Sequence, residues 1–251
     1  MKTTKIEWTD KTWNPVTGCT KISAGCVNCY AEVMARRLQA MGPDKYKNGF
    51  NLTLHKDVLS EPLKWKKPHT IFVCSMSDLF HKDVPDEFIT QVVGVIRLTP
   101  QHRYQLLTKR VERMADYFST RQIPDNVWLG VTVENREAKK RIDYLRTLSA
   151  PIRFLSCEPL LEDLGEINFD NIDWVIVGGE SGTSARPMKE KWVLSIKEQT
   201  EKQGSAFFFK QWGTWGRDGV KRNKHENGKL IGGEIYQQMP EIKHDNSLLL
   251  A

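Results

Sequence analysis

Three cysteines near the start of the chain have a spacing that could build a metal site. Cys19, Cys26 and Cys29 follow the pattern C-x6-C-x2-C. Thiolates are common protein ligands of zinc and of iron–sulfur clusters, and a C-x2-C pair can chelate a single metal centre. Gly18 and Gly25 let the backbone turn tightly, so that the first thiol can reach the centre held by the other two. The segment therefore predicts a metal site bound by three thiolates.

Four interpretations of this triplet differ in their chemistry. A [4Fe–4S] cluster needs only three cysteines if its fourth iron is left free for another ligand. A structural zinc ion needs four ligands, and the nearest further candidates, His55 and His69, lie far along the chain. A redox dithiol would use Cys26 and Cys29 and leave Cys19 without a role. A cluster of buried thiols without chemistry is the fourth interpretation, and the residues favour the iron–sulfur cluster.

The elements that would position these thiols follow from the hydrophobic pattern. From residue 70 onward, short apolar runs alternate with longer segments of helical period, which is typical of βα units and a parallel sheet. The predicted strands are Thr70–Cys74, Tyr104–Leu107, Val127–Val133, Ile152–Cys157, Trp174–Val177 and Ala206–Phe209, and a further strand precedes Cys19. We predict an α/β fold, a partial or complete parallel βα barrel, with an open doubly wound sheet as the alternative.

The same pattern predicts the helices and the extent of the barrel. The predicted helices are Tyr30–Met41, Pro85–Leu98, Asn135–Leu148 and Met188–Gln203. The basic segment 45–67 has little periodicity and is interpreted as an insertion between the first and second units. We expect the barrel to span residues 1–215 and a C-terminal extension to span residues 216–251. Within the extension we expect a hairpin at Gly232 and Gly233 and a frayed tail from Lys243.

Polar side chains follow the predicted strands. In a βα barrel the loops after the strands meet at one mouth, where the active site lies. The polar residues at these positions include Ser75, Ser77, Asp78, Lys109, Arg110, Glu134, Asn135, Glu158, Glu180, Lys210 and Gln211. Any one of them could be an ordinary solvated loop residue, but their recurrence from strand to strand predicts one polar site around the mouth.

Several short motifs together resemble those of a known superfamily. They are WTDKTWNPVTGC at 8–19, CVNCYAE at 26–32, SMSDLF at 75–80, LLTKR at 106–110, GVTVEN at 130–135, SCEPLL at 156–161 and GGESG at 178–182. In combination they resemble a phage-associated family of radical-SAM-like proteins of largely unknown function, within the radical S-adenosylmethionine superfamily. The resemblance extends to Trp215. It implies a [4Fe–4S] cluster on the three cysteines that binds S-adenosylmethionine and cleaves it to a 5′-deoxyadenosyl radical.

The resemblance also implies roles for residues after the strands. The candidate cofactor-binding residues are Ser75, Ser77, Asp78, Glu134, Asn135, Glu158 and Glu180. The first three suit the amino group of the methionine moiety, and the next two suit the ribose hydroxyls. The last two glutamates are expected to bind cofactor or substrate.

Two features depart from the usual pattern of the superfamily. Its cysteines are commonly spaced C-x3-C-x2-C, whereas six residues separate Cys19 from Cys26 here. In many members a Gly-Gly-Glu motif follows the second strand, whereas Gly178, Gly179 and Glu180 follow the sixth predicted strand. Cluster binding is therefore inferred from the triplet together with the other motifs.

The composition limits the classes of partner and compartment. The chain has 37 Lys and Arg against 31 Asp and Glu, a net charge of +6, which permits an anionic partner. No apolar run approaches the roughly 18–20 residues of a membrane helix, and the N-terminus does not resemble a secretory signal. Five cysteines, an odd number, fit reduced thiols or metal ligands. We expect a cytoplasmic protein without a membrane partner.

These features favour a radical S-adenosylmethionine enzyme that acts on a nucleic acid or nucleotide, by modification or repair. Such an enzyme would need an external electron donor, and a partner protein could deliver its substrate. A small metabolite is the competing substrate. A zinc-stabilised nucleic-acid-binding protein without turnover is the alternative function. A barrel hydrolase that uses Glu134, Glu158 or Glu180 as acid or base is a third.

Overall fold

Nine strands, six α-helices and five short 3-10 helices make up the regular structure of residue 4 and residues 6–241, which the computed structural model describes. The strands are β1 (Lys11–Trp13), β2 (Val16–Thr17), β3 (Thr53–Leu54), β4 (Thr70–Val73), β5 (Arg103–Thr108), β6 (Val127–Thr132), β7 (Ile152–Cys157), β8 (Trp174–Gly178) and β9 (Ala206–Gln211). The helices are α1 (Tyr30–Met41), α2 (Asp86–Arg97), α3 (Val111–Ser119), α4 (Lys140–Arg146), α5 (Glu190–Gln203) and α6 (Lys224–Asn227). No helix of the described residues has the length and apolar character needed to cross a membrane. The tail expected from Lys243 lies outside the described residues.

Seven strands form one parallel sheet in the order in which they occur along the chain. The order is β1-β4-β5-β6-β7-β8-β9, with each neighbouring pair parallel. A doubly wound sheet would reverse direction part-way across, whereas this one continues from edge to edge. In the sheet as described, β1 and β9 are the two edges. The predicted α/β fold is therefore confirmed, in its partial-barrel form. The two-residue strands β2 and β3 form a separate antiparallel pair.

The two faces of the large sheet pack differently. Side chains alternate between the faces along a strand, so Phe208 of β9 points to one face while Phe207 and Phe209 point to the other. The outer face and the helices share one large apolar core, in which Val92 of α2 and Met114 of α3 are fully buried. The inner face carries a smaller, mainly aromatic cluster, which is Trp8, Phe72, Trp128, Ile152, Phe154, Trp174, Ile176 and Phe208.

Aromatic rings close the inner face into a curved surface. The ring of Trp8, ahead of β1, lies 4.8 Å from the ring of Phe72 and 6.2 Å from that of Trp174, between centroids. Trp174 of β8 also lies 6.1 Å from Trp128 and 5.9 Å from Phe208. A ring from beside the first strand thus contacts a strand near the opposite edge. The sheet must curl around its aromatic interior for this contact to form.

A C-terminal segment covers the β9 edge of the sheet. Phe209 N donates to Tyr236 O at 2.7 Å, and Gln238 N donates to Phe207 O at 3.0 Å. Such pairing protects an edge strand, whose free N–H and C=O groups would otherwise recruit another chain. Before this segment, a bridge between Ile231 and Glu234 encloses the two glycines at which the sequence suggests a hairpin.

The largest difference from the predicted helices follows β6. The pattern predicts one helix over Asn135–Leu148, but the structure has a 3-10 turn at Glu137–Lys139 and then the short α4. Asn135 Oδ1 accepts a hydrogen bond from Ala138 N at 3.0 Å, so this side chain caps the turn. Helix α3 is absent from the predicted helices because nine residues carry too short a pattern.

Gly130 of β6 offers a test of the inner-face packing. A Cβ at this position would overlap the ring of Phe154, which is itself fully buried. Gly130→Ala should therefore lower the free energy of unfolding by about 1–3 kcal/mol, because an aromatic ring in a packed interior has little room to move. Urea denaturation of the purified protein measures this change.

Gly94 of α2 is the matched control for Gly130. A Cβ there would meet nothing within 4 Å, and alanine is the better helix former by about 0.5–1 kcal/mol. Gly94→Ala should therefore stabilise the protein. If Gly130→Ala were as stable as Gly94→Ala, the close packing on the inner face would be contradicted.

Candidate functional site

The three cysteines lie on the connection between β2 and α1, here called the cysteine loop (residues 18–29). The loop begins at the end of the sheet where the strands terminate, here called the carboxyl edge. Gly18 N donates to Met76 O at 3.0 Å, and Ser77 Oγ donates to Gly18 O. Gly18 has φ of 79° and a Cβ there would overlap the backbone of Asn51, so only glycine fits. The segment after β4 thus fixes the start of the loop.

Arg110, at the end of β5, holds the part of the loop around Cys19. Its Nη2 donates to Thr20 O at 3.0 Å and to Thr20 Oγ1 at 2.9 Å, and its Nη1 lies 3.5 Å from Cys19 Sγ. The same Nη1 lies 3.3 Å from Asp78 Oδ2. Asp78 also accepts hydrogen bonds from Thr108 Oγ1 at 2.7 Å and 2.9 Å. The buried carboxylate therefore orients the guanidinium toward the loop.

Glu134, at the end of β6, holds the middle of the loop. Its carboxylate is fully buried and accepts a hydrogen bond from Gly25 N at 3.3 Å. The other oxygen pairs with Arg141 Nη1 at 2.7 Å. Burial disfavours its ionisation, but the charges of Arg141 and Lys109 outweigh this and hold the pKa of Glu134 below its ordinary value. Glu134 is therefore an ionised anchor at neutral pH.

Glu180, after β8, holds the end of the loop. Its Oε2 accepts a hydrogen bond from Asn28 Nδ2 at 3.0 Å, and Asn28 also donates to Ser184 O at 2.8 Å. Arg186 forms a fork on the same carboxylate, with Nε at 2.9 Å and Nη2 at 2.6 Å. Burial would raise the pKa of Glu180, but the hydrogen bonds from Arg186 lower it overall. Carboxylates from three alternate strand ends thus fix one loop.

The other predicted cofactor-binding residues make different contacts. Ser75 Oγ donates to Asn14 Oδ1 at 3.0 Å, and Ser77 Oγ is bonded to the loop backbone as described. Asn135 caps the turn after β6. Glu158 forms an ion pair with Lys210, and Ser156 Oγ lies 3.4 Å from the same carboxylate. The structure thus brings all the candidate residues to the carboxyl edge, but most of their polar atoms bond to the protein.

The thiols of the loop have unequal environments. Burial raises the pKa of Cys19, although Arg110 opposes this. Burial also acts against ionisation of Cys26, but the Lys109 charge and hydrogen bonds from Ile22 and Ser23 bring its pKa below the ordinary value. Cys26 is therefore the readier of these two thiols to become a thiolate. Neighbouring cations at the end of β5 act on both.

The donor set fits a thiolate-bound metal centre in type and in number. Cys19, Cys26 and Cys29 are all partly exposed on one loop, whereas Cys74 and Cys157 are buried in the apolar core. Within residue 4 and residues 6–241, no three His, Cys, Asp or Glu side chains are grouped closely enough to hold a metal ion. Metal binding by the three thiols thus requires their side chains to converge from the positions seen here.

The histidines considered as a fourth zinc ligand are engaged elsewhere. His55 Nε2 lies 2.8 Å from Thr17 Oγ1, within hydrogen-bonding distance. His69 precedes β4, at the opposite end of the strand from the cysteine loop, and stacks on His102 with 5.7 Å between ring centroids. The structure therefore does not bring His69 to the thiols.

A polar cavity of about 190 Å³ lies beside residues 22–24 of the loop, and its lining includes three cations and two carboxylates, which are Lys109, Lys140, Arg141, Glu112 and Glu137. Lys109 Nζ donates to Thr132 Oγ1 at 3.3 Å. Among the described residues, no carboxylate lies within ion-pair distance of this ammonium. A cation in this setting is suited to bind a carboxylate or phosphate.

Sequence reasoning missed several residues that shape the site. Thr20 Oγ1 bonds to His81 Nε2 at 2.8 Å, and His81 is fully buried. Burial and the charge of Arg110 lower the pKa of His81, so the ring is neutral at pH 7. Asn28 could have been found from the sequence, because it lies between Cys26 and Cys29, where a side-chain amide can form hydrogen bonds to the protein around the thiols. Arg141 had no such signal, because its partner Glu134 lies outside the helix, in the segment that follows β6.

A model of the family described as "Protein of unknown function (DUF5131)" matches residues 3–240. This chain belongs to that family. The residues that the family model matches include the cysteine loop, all seven strands of the large sheet and the segment that covers β9. A search of curated proteins found no match to the DUF5131 chain.

Solved structures of spore photoproduct lyase are similar to the DUF5131 chain. A mutant of that lyase matches with 13% identity and a TM-score of 0.45, over 88% of this chain and 71% of the lyase chain. The lyase complexed with dinucleoside spore photoproduct matches with 11% identity and a TM-score of 0.41, over 74% of this chain and 59% of that one. Likenesses of this degree establish neither cofactor nor substrate for the DUF5131 chain.

Glu134→Gln is expected to destabilise the DUF5131 chain by about 1–3 kcal/mol at pH 7, because the buried Arg141 loses its ionised partner. The carboxylate is buried, yet its pKa is held below the ordinary 4.5. Its contribution is therefore complete above pH 4.5 and is lost as the pH falls through the lower folded-state pKa. The difference in unfolding free energy between wild type and Glu134→Gln should shrink as the pH falls below 4.5.

Urea denaturation at several pH values measures this difference. Glu137→Gln is the matched control, because Glu137 is exposed on the neighbouring turn. This control should match the wild type at pH 7 within about 0.5 kcal/mol. A Glu134→Gln variant as stable as the control would show that the carboxylate is not an ionised anchor.

Proposed function

We propose that this protein is a radical S-adenosylmethionine enzyme in which Cys19, Cys26 and Cys29 hold a [4Fe–4S] cluster. The observation that carries the proposal is the position of the cysteine loop, which lies across the carboxyl edge of a parallel βα sheet on carboxylate anchors. Sheets of this kind carry their active sites at that edge. When bound, the cluster would supply the electron that cleaves S-adenosylmethionine to methionine and a 5′-deoxyadenosyl radical.

The side chains around the loop divide into two groups by their contacts. Asp78, Glu134 and Glu180 act on the loop, directly or through an arginine, so we assign them to the positioning of the thiols. Lys109 forms no ion pair with a carboxylate of the described residues and lines the cavity beside the loop, so we assign it to the carboxylate of the methionine moiety. Glu158, partly exposed in its pair with Lys210, is assigned to cofactor or substrate.

Three candidates keep narrower roles in this proposal. Ser75 is partly exposed at the mouth, and its hydroxyl oxygen can still accept a hydrogen bond from the amino group of the cofactor. Ser77 and Asn135 are bonded to Gly18 O and to Ala138 N respectively. We therefore assign these two to the shape of the loop and the turn rather than to the cofactor.

A nucleic acid or nucleotide is the proposed substrate. The net charge of +6 favours an anionic partner. The segment after β9 returns to the carboxyl edge, where Thr214 N donates to Glu180 O at 2.9 Å and Lys221 Nζ donates to Thr183 O. Lys221 Nζ also lies 5.8 Å from the ring centroid of Trp215. An aromatic face beside a cation suits a stacked base and its phosphate.

Metal analysis of anaerobically reconstituted protein tests the cluster. The wild type should bind about four irons per chain, and Cys26→Ala should lose most of them because one of three ligands is gone. Cys157→Ala is the matched control, since Cys157 is buried in β7 away from the loop, and it should keep its iron. Iron, sulfide and zinc are measured together on each variant.

Electron paramagnetic resonance of the reduced protein tests the cofactor. The spectrum should change when S-adenosylmethionine is added, because the cofactor would bind the free iron. Stoichiometric zinc without iron uptake would overturn the proposal and favour the zinc-stabilised binding protein. If a cluster forms but its spectrum does not change when S-adenosylmethionine is added, the radical chemistry is contradicted and only the iron site is supported.

Binding to a short fluorescein-labelled single-stranded oligonucleotide tests the substrate class. Lys221→Ala should weaken binding and reduce the slope of log affinity against log salt by about 1, as expected for one lost phosphate contact. Lys202→Ala, exposed in the last turn of α5, is the matched control and should bind as the wild type does. Unchanged binding by Lys221→Ala in a fluorescence anisotropy titration would remove this segment from the substrate site.

A further inference from the structure

Arg110 is the cation in hydrogen-bonding distance of a cysteine sulfur in the loop. Its Nη1 lies 3.5 Å from Cys19 Sγ, a distance suited to an N–H···S hydrogen bond. The corresponding neighbour of Cys26 Sγ is a hydroxyl, Ser23 Oγ, at 3.6 Å. Two thiols of the same triplet thus differ in whether a charged or a neutral group faces the sulfur.

The guanidinium is held in place by groups other than the thiol. Its Nη2 is bonded to both the carbonyl and the hydroxyl of Thr20, the residue next to Cys19. On its other side Asp78, only 6% exposed, forms the ion pair at 3.3 Å. The backbone N of Arg110 donates to Thr108 Oγ1 at 2.8 Å, which fixes the start of the side chain as well. Arg110 therefore stays beside residue 19 even when the cysteine side chain rotates.

Hydrogen bonds to the sulfurs of a metal centre change its electronic properties. A donor to a ligand sulfur, above all a charged one, stabilises the reduced state, which carries one more negative charge. Only 11% of the Arg110 side chain is exposed, so water screens it little. Asp78 Oδ2 lies 3.3 Å from the same Nη1 and offsets part of the charge, whereas the N–H group within 3.5 Å of the sulfur belongs to Arg110 alone. The expected consequence is a less negative reduction potential.

We propose that Arg110 sets the reduction potential of the metal centre on the three cysteines by donating an N–H···S hydrogen bond to the ligand sulfur of Cys19. The inference rests on the proposed function, since it requires a redox-active cluster at these thiols. The step concerned is the uptake of one electron from an external reductant, with no bond formed or broken in the protein. Arg110 is a positioning and tuning residue and touches no reacting atom in this scheme.

A potentiometric titration of reconstituted protein with dithionite, followed by electron paramagnetic resonance, measures the effect. Arg110→Met removes the charge and the donor but keeps much of the apolar length, and its midpoint potential should shift to more negative values. Arg110→Lys keeps a charge but cannot reach Thr20 and the sulfur with one planar group, so a smaller negative shift is expected. Iron content is measured on each sample, and potentials are compared for the loaded fraction.

Arg113→Met is the matched control. Arg113, one turn further into α3, donates to Val84 O and to His81 O and pairs with Asp86 at 2.9 Å, and it donates to no cysteine sulfur. Arg113→Met removes a partly buried arginine from the same region but no hydrogen-bond donor to a cysteine sulfur. The midpoint potential of this variant should therefore equal that of the wild type. A shift equal to that of Arg110→Met would assign the effect to general destabilisation and overturn the proposal.

The outcomes separate this inference from the proposed function. A wild type that takes up no iron defeats the proposed function and the inference with it. Iron-loaded Arg110→Met with the wild-type potential overturns the inference and leaves the proposed function standing. If Arg110→Met fails to load, Arg110→Lys decides: a negative shift supports the inference, and the wild-type potential overturns it. Loss of iron from both variants would make the role of Arg110 purely structural and also overturn it.

Discussion

Three carboxylates are buried at the ends of alternate strands, and their negative charges need opposite charges and hydrogen-bond donors. The groups that supply these also fix the position of the cysteine loop. Asp78 and Glu180 are 6% exposed and Glu134 is fully buried. A buried carboxylate is costly unless an opposite charge and further hydrogen bonds satisfy it. Each has an arginine, and the pairs are Asp78–Arg110, Glu134–Arg141 and Glu180–Arg186. The loop donates hydrogen bonds to Glu134 and Glu180 and accepts hydrogen bonds from Arg110, so a displaced loop would break all three contacts.

The parallel sheet explains why one loop can meet three distant strands. Parallel strands that follow one another in chain order bring all their carboxyl ends to a single edge, and the curl around Trp174 turns that edge into a mouth. Below the mouth the inner face is aromatic. The charged side chains that follow the strands therefore lie at the mouth, beside the loop.

Lys109 and Arg110, which follow β5, make different contacts at this mouth. Arg110 is bound to a carboxylate and to the loop, whereas Lys109 is bonded to a hydroxyl and lines a cavity. Side chains of neighbouring residues leave the backbone in different directions, so a single strand end can both anchor the loop and offer a charge to a ligand. The unequal environments of Cys19 and Cys26 follow from the same pair of cations.

The sequence by itself determined the strands, the parallel sheet and the group of polar residues at its carboxyl edge, because burial on both faces leaves a nearly continuous apolar pattern in each strand. It also marked the cysteine triplet, since thiol spacing is visible along the chain. Only the tertiary structure decided what the carboxylates contact. Glu134 meets Gly25 across 109 residues and Glu180 meets Asn28 across 152, and such pairings depend on how the ends of the strands converge. Glu134 and Glu180, which the sequence suggests as cofactor ligands, therefore bond to the loop that carries the thiols, because a buried carboxylate must be satisfied by the donors that the fold places beside it.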